Sequence, residues 1–401
     1  MDNNHCIMPR NYNVCLQIFL LLTLFSCDSN RSVLTNFVAV NTINPSEESS
    51  LTSNVIAVKK WVYSMQHTSG LMESAEDTNF VSLYDNALAA LFFIQEDEKE
   101  KAEALMDFYN SKIDDEVLVN GAIYQTRTIN GNEAQTLWMG DNAWLLIAIN
   151  HYRKTYDSDR YDRLGKHIEK WLRSLQDMDG GLKGGIRANG LEMPKVTEGI
   201  ITAFNAVPGY DDFHKNILKF LKNERWDSTA KVLMAWPENP KYAYAMDVHS
   251  LSSIIFPDLA ENTLLEANRY MNQQVMTMKG TTITGYGFDE DSDVVWLEGT
   301  AQMAVAFRNI NRDDLAKELL ANLEKSMLLS TKLLNAKGLP YATNDGTGYG
   351  STQLWQHAHT RPALSSSLWY IFATTDFNPF ALGNDKKIPA ADTFWREPFL
   401  N

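Results

Sequence analysis

Apolar positions between residues 51 and 375 gather into twelve segments of two kinds, and the two kinds alternate along the chain. Segments 54–65, 98–108, 161–175, 213–221, 262–276 and 313–328 are amphipathic, carrying charge on one face. Segments 83–94, 140–149, 197–207, 246–256, 296–307 and 362–373 are nearly free of charge after their first turn. No run shows strand-like alternation of any length, so the pattern predicts helix almost throughout. A helix that is apolar nearly all round needs burial on most sides, whereas an amphipathic one covers it. Six of each describe six outer–inner hairpins, with an inner ring wrapped by an outer one.

Spacing points the same way. An acid falls near the start of five inner segments, at Asp85, Asp141, Glu198, Asp247 and Glu298, in steps of 56, 57, 49 and 51 residues. Connections from inner to outer segments are short, such as Gln95-Glu96-Asp97 and Pro257-Asp258. Those from outer to inner are long and hold Gly, Trp and Tyr. One end of the predicted barrel is therefore trimmed and the other elaborated, and elaborated loops on a rigid scaffold are where function concentrates.

Composition narrows the chemistry. Of 401 residues, 44% are hydrophobic and 11% aromatic, as in a folded globular protein. The formal net charge of −14 repels phosphate backbones, so nucleic acid is not an expected partner. The three cysteines, Cys6, Cys15 and Cys27, all precede the predicted helices, leaving that region no disulfide, thiol nucleophile or cysteine metal site. No GxGxxG, P-loop, HExxH or GxSxG motif is present, and no cofactor is expected.

The inner segments YDNALAAL, GDNAWLLIA and WLEGTAQMAVAF, with the turn QDMDGGLKGG at 176–185, resemble the six-hairpin glycosidase superfamily. The resemblance is architectural and covers nearly all of 51–401. It implies an all-α (α/α)6 toroid forming a single catalytic domain, and glycoside hydrolase activity on a carbohydrate substrate. It also leaves open a polysaccharide lyase or sugar epimerase on the same scaffold. No catalytic signature of one enzyme family matches, so no residue role transfers.

The five acids are the candidate catalytic groups. An acid at a helix start ordinarily caps it. Glu, however, is a poor cap, and Glu198 and Glu298 are each followed by Gly, which leaves space beside the carboxylate. Six helices about 10 Å apart form a ring whose opposite axes lie roughly 20 Å apart. Inward side chains narrow that to about 6–10 Å, near the separation of about 6.5–9.5 Å used by inverting glycosidases. The second and fifth inner helices face each other, as do the first and fourth. These pairings set Glu298, expected as the acid, opposite Asp141, expected as the base, and Asp85 opposite Asp247.

Trp138, Trp236, Trp296 and Trp355 lie on the long loops with Tyr244 and Tyr286, and flat aromatic faces suit sugar rings. A lyase would draw its base from a residue such as His249, His357 or His359. It would also use Arg361 to clamp a uronate carboxylate. The acidic run 289–293 lacks the Gly and the final Glu of a calcium loop and reads as a solvated rim, so no metal is expected.

At the start of the chain, the apolar run 14–25 is too short to span a bilayer but suits a signal peptide. Leu24-Phe25-Ser26-Cys27 resembles a bacterial lipobox. That implies a signal peptide at 1–26, lipidation of Cys27 and a tether at 27–50. The expected location is the periplasmic or cell-surface side of a bacterial membrane. An ordinary secretory signal cut near Ser26 is the alternative. A carbohydrate-binding lipoprotein without turnover is the rival from outside the enzymes.

Overall fold

The computed structural model describes residues 45–345, 348–349, 352–353 and 359–396. The predicted signal peptide, Cys27, the tether as far as residue 44, Trp355 and His357 lie outside the described residues. Twelve principal helices follow one another: α1 (Pro45–Ser64), α2 (Leu83–Gln95), α3 (Lys99–Asn110), α4 (Met139–Tyr156), α5 (Asp162–Ser174) and α6 (Thr197–Ala206), then α7 (Asp212–Phe220), α8 (Met246–Ile255), α9 (Ala260–Glu266), α10 (Leu297–Asn309), α11 (Asp313–Ser326) and α12 (Leu364–Thr374). Each even-numbered helix touches the next, and α12 returns to α2, so the inner ring closes. The architecture is an all-α (α/α)6 barrel.

Burial explains the two segment types. On α10 every residue from Leu297 to Phe307 is buried. On α5 only Leu164, Gly165, Ile168, Trp171 and Leu172 are buried, at the three- and four-residue spacing of one helical stripe. All short strands of the described residues lie in the long connections at one end of the barrel. There Phe80–Ser82 pairs with Thr126–Thr128, and Leu137–Trp138 with Gly185–Ile186. Isolated bridges join Ala75 to Ala363 and Trp296 to Ala342. Neighbouring loops are thereby stitched into a rim, an arrangement no local alternation announces because each strand spans two to five residues.

Buried Glu76 closes that rim between the first and last loops. It accepts from Trp61 Nε1 (2.8 Å), Ser330 Oγ (2.7 Å), Thr331 Oγ1 (2.6 Å) and the Thr331 amide (2.8 Å). Burial opposes its charge, but these four donors outweigh burial and hold its pKa below the usual value.

The opposite, trimmed end is covered by the chain after α12. Phe380 is fully buried, its ring centroid 4.7 Å from that of Trp144 on α4. Asn205 of α6 donates to the Phe380 carbonyl and to Asn384 Oδ1, while Asn384 Nδ2 donates to the Ile254 carbonyl on α8. Trp395 packs on Phe256.

Two segments depart from expectation. The predicted helix at 262–276 stops at Glu266; Met271–Val275 then pairs with Thr282–Tyr286 as a hairpin. Thr281-Thr282-Ile283-Thr284 favours a pleated strand, and that partner draws Met271–Val275 out of the helix. Helix α1 begins nine residues before the predicted 54. The added turns carry no apolar periodicity for the pattern to register.

Candidate active site

All five acids sit in the second or third position of an inner helix at the rim end, and none is the N-cap residue. Each helix begins one or two residues before its acid, so the N-cap residue lies two or three positions earlier. On α2 the cap is Ser82, whose Oγ accepts from the Asp85 amide at 3.5 Å. Two asparagines lock the acids before them. Asn86 accepts from the Met72 amide and donates to the Met72 and Ser82 carbonyls. Asn142 makes the same three bonds with Ile123 and Trp138. Each side chain grips the preceding loop and fixes the register in which Asp85 or Asp141 leaves the helix.

The glycines serve a different purpose from the expected one. A Cβ on Gly199 would come within 2.6 Å of Met139 Cε, and one on Gly299 within 2.2 Å of the Trp296 ring. Their space is taken by packing between helix starts. Gly140 is the one that faces an acid: a Cβ there would lie 3.1 Å from Glu198 Oε2 and 2.8 Å from Trp138 Nε1.

Electrostatics shows that the carboxylates share one field. Burial drives Asp85 up to about 8, opposed by the hydroxyls of Ser74 and Ser365 and reinforced by Glu298. Asp141 is held well above the carboxylate range by burial, then by Glu198 and Asp85. Burial and the charge of Asp247 lift Glu198 to about 8. Glu298 rises to about 7, burial being opposed by donors from Tyr84 and Ser365 and aided by Asp247. Burial raises Asp247 as well but least, to about 6: no neighbouring charge adds to it, and backbone amides oppose it, that of Val248 donating to its Oδ1 at 2.7 Å. The couplings link acids on five helices, so the acids converge.

Glu298 is the most elaborately held. Tyr84 Oη donates to its Oε1 at 2.6 Å and Gln302 Nε2 at 3.3 Å. Trp369 Nε1 donates to Tyr84 Oη at 2.7 Å, and Ser250 Oγ to Gln302 Oε1 at 2.8 Å. Apolar-pattern reading missed these partners, because no local signal ties Tyr84 to a residue 214 positions away. The repeated Asp-Asn-Ala at 85–87 and 141–143 was a signal that would have exposed the asparagine clamps.

The remaining candidates have the following surroundings. Trp138 lies over Gly140 beside Glu198. Trp296 is buried at the start of α10 with Phe288 and Tyr341 around it, and its Nε1 lacks a partner. Trp236 is partly exposed, and its amide donates to the Tyr242 carbonyl. Tyr286 is buried in the core. Tyr244 donates to Asp227 Oδ2 at 2.5 Å, with Arg269 over its ring. His249 packs edge-on against Tyr270, its Nδ1 on the Ala245 carbonyl, and burial lowers it to about 4. Arg361 donates to the Glu76 and Asp77 carbonyls. Asp289 and Asp291 accept from the amides of Asp291 and Asp293. Among the described residues, no group of His, Cys, Asp or Glu is placed to hold a metal ion.

The burial of Asp85 has a measurable cost. Below about pH 4 both folded and unfolded chains hold its proton. Between about 4 and 8 only the folded chain keeps it, so stability falls as pH rises through that window. Asp85→Asn is therefore expected to stabilise the protein by about 2–4 kcal/mol at pH 8 and hardly at all at pH 4. Denaturant melts at the two pH values check this; equal shifts at both would refute it.

Neither a protein-family model nor a curated relative matches the chain. Solved structures do. A wild-type glycosidase superposes with a TM-score of 0.57 at 11% identity, covering 84% of this chain and 99% of its own. A D-mannose isomerase gives 0.60 at 12% identity, covering 84% and 98%. A sugar epimerase from a ruminal bacterium gives 0.55 at 10%, covering 82% and 98%. At such identities the likeness establishes the glycosidase-like (α/α)6 fold.

Proposed function

We propose that this protein is a glycoside hydrolase that acts by inversion on an oligo- or polysaccharide, with Glu298 as general acid and Asp247 as general base. The observation that carries the reading is the buried carboxylate cluster itself, in which Glu298 is held by Tyr84 and Gln302 and lies close enough to Asp247 on the neighbouring inner helix to feel its charge. Hydrolysis with inversion needs one protonated carboxyl and one ionised carboxylate at the same pH. Burial raises both groups, Glu298 to about 7 and Asp247 to about 6, which suits the pair to proton transfer near neutral pH. Asp141, the base expected from the ring geometry, is the alternative base; burial, then Glu198 and Asp85, raise its pKa further from the carboxylate range.

A lyase fits less well, since Arg361 is committed to two loop carbonyls and His249 faces Tyr270. Isomerase and epimerase neighbours on this scaffold make sugar rearrangement the second reading. Incubating the protein with a panel of neutral oligosaccharides, followed by proton NMR of the first product, tests both. A new reducing end of inverted anomeric configuration is expected. An isomerised sugar without bond cleavage supports the second reading, and binding without any product supports a non-catalytic carbohydrate receptor. Export and lipid anchoring through Cys27 form part of the same proposal; they rest on the lipobox-like run before Cys27. Among the described residues, no helix is long and apolar enough to cross a membrane.

A further inference from the structure

We propose that Tyr84 is a positioning residue that fixes which oxygen of Glu298 carries the transferable proton, directing it from Oε2. This rests on the hydrolase reading for its use, but the hydrogen-bond geometry stands independently. A Trp indole only donates, so Trp369 Nε1 occupies a lone pair of Tyr84 Oη and leaves that hydroxyl's single proton for Glu298 Oε1, 2.6 Å away. Gln302 Nε2 lies 3.3 Å from the same oxygen, and Ser250 Oγ is shared between Gln302 Oε1 and the Asp247 carbonyl, so Tyr84 is the deciding donor. A proton placed on Oε1 would compete with the Tyr84 O–H for that oxygen. The acid proton of neutral Glu298 therefore resides on Oε2. Tyr84 cannot reverse the bond by ionising, because burial and the neighbouring Glu298 keep its phenol protonated.

The arrangement does two things to a reaction. It removes the half of the carboxyl population whose proton faces the wrong way, and it steadies the carboxylate left after transfer by hydrogen bonds already in place. On transfer, the Oε2–H bond breaks, the proton goes to the leaving oxygen, and the electron pair stays on Glu298.

The charged and titratable groups facing Glu298 are Tyr84 and Asp85 on α2, Glu198 on α6 and Asp247 on α8, with Asp141 on α4 joined through Asp85 and Glu198; α12 contributes the Ser365 hydroxyl. Against these like charges, the Tyr84 bond favours the ionised form, so its removal must raise the affinity of Glu298 for its proton.

The test is Tyr84→Phe, which keeps the ring against Trp144. Carboxyl carbon NMR of the substrate-free protein, with the Glu298 resonance assigned by its loss in Glu298→Gln, is expected to show the midpoint about one unit higher in Tyr84→Phe. On substrate, kcat is expected to fall about tenfold with KM nearly unchanged, and the basic limb of the pH profile to move up by the same unit. An unmoved Glu298 midpoint overturns the proposal. So does a loss of activity that Tyr84→Phe shares equally between kcat and KM without moving the basic limb. Should Tyr84→Phe fold poorly, Gln302→Leu, which removes the second donor, is expected to shift the midpoint in the same direction by less, and an unshifted midpoint counts against the proposal. If the midpoint moves but Glu298→Gln retains full turnover, the hydrolase assignment fails while the proton-directing chain stands.

Discussion

Glu298→Gln is expected to lower kcat on an ordinary glycoside about 1,000-fold while leaving the fold intact. The amide keeps the acceptor oxygen that Tyr84 and Gln302 engage but has no transferable proton. It also removes a carboxyl that burial disfavours, so the melting temperature should hold or rise. Leaving-group chemistry provides the decisive contrast. A glycosyl fluoride or dinitrophenyl glycoside departs without protonation, so on these substrates the loss should shrink to a few fold. An equal loss on both kinds of substrate would place Glu298 outside the acid role. The basic limb of the pH profile, set in the wild type near pH 7, should vanish in this variant.

Asp247→Ala is expected to be comparably damaging, and the damage should be reparable. Without the carboxylate no group activates water, and the acid limb near pH 6 should disappear. Azide, a nucleophile that needs no base, should restore turnover and yield a glycosyl azide of inverted configuration. The substitution also removes a negative neighbour of Glu198 and Glu298. Both should then titrate lower, moving the residual basic limb toward acid. Azide rescue with retained configuration would require a covalent intermediate formed without Asp247 and so place Asp247 in the acid/base role of a retaining enzyme, and rescue in Asp141→Ala but not in Asp247→Ala would restore the diametric pairing.

The barrel was legible because the property that makes a helix inner, freedom from charge all round, is written in consecutive residues such as Trp296 to Phe307. The leading acids were equally visible, since they recur at the interval of one hairpin. What burial does to them was not. Asp141 and Asp247 read alike as letters. They differ because one is raised by two other acids on top of burial, whereas the other is raised by burial alone and takes a helix amide. Ring geometry paired opposite helices, but the coupling of Glu298 runs also to its neighbour Asp247 and to a tyrosine contributed by α2. The strands escaped notice because two-residue pairings between loops need partners, not patterns. Nothing in the letters showed that Arg361 and His249 are held by backbone carbonyls, of Glu76 and Asp77 for the one and of Ala245 for the other.

The segment laid over the trimmed end bears on where a glycan would enter. Phe380 packs against Trp144, and Asn384 ties α6 to α8, so this end is covered by the chain's own residues. Under the hydrolase proposal, a sugar would therefore approach the five acids from the rim, where their helices begin.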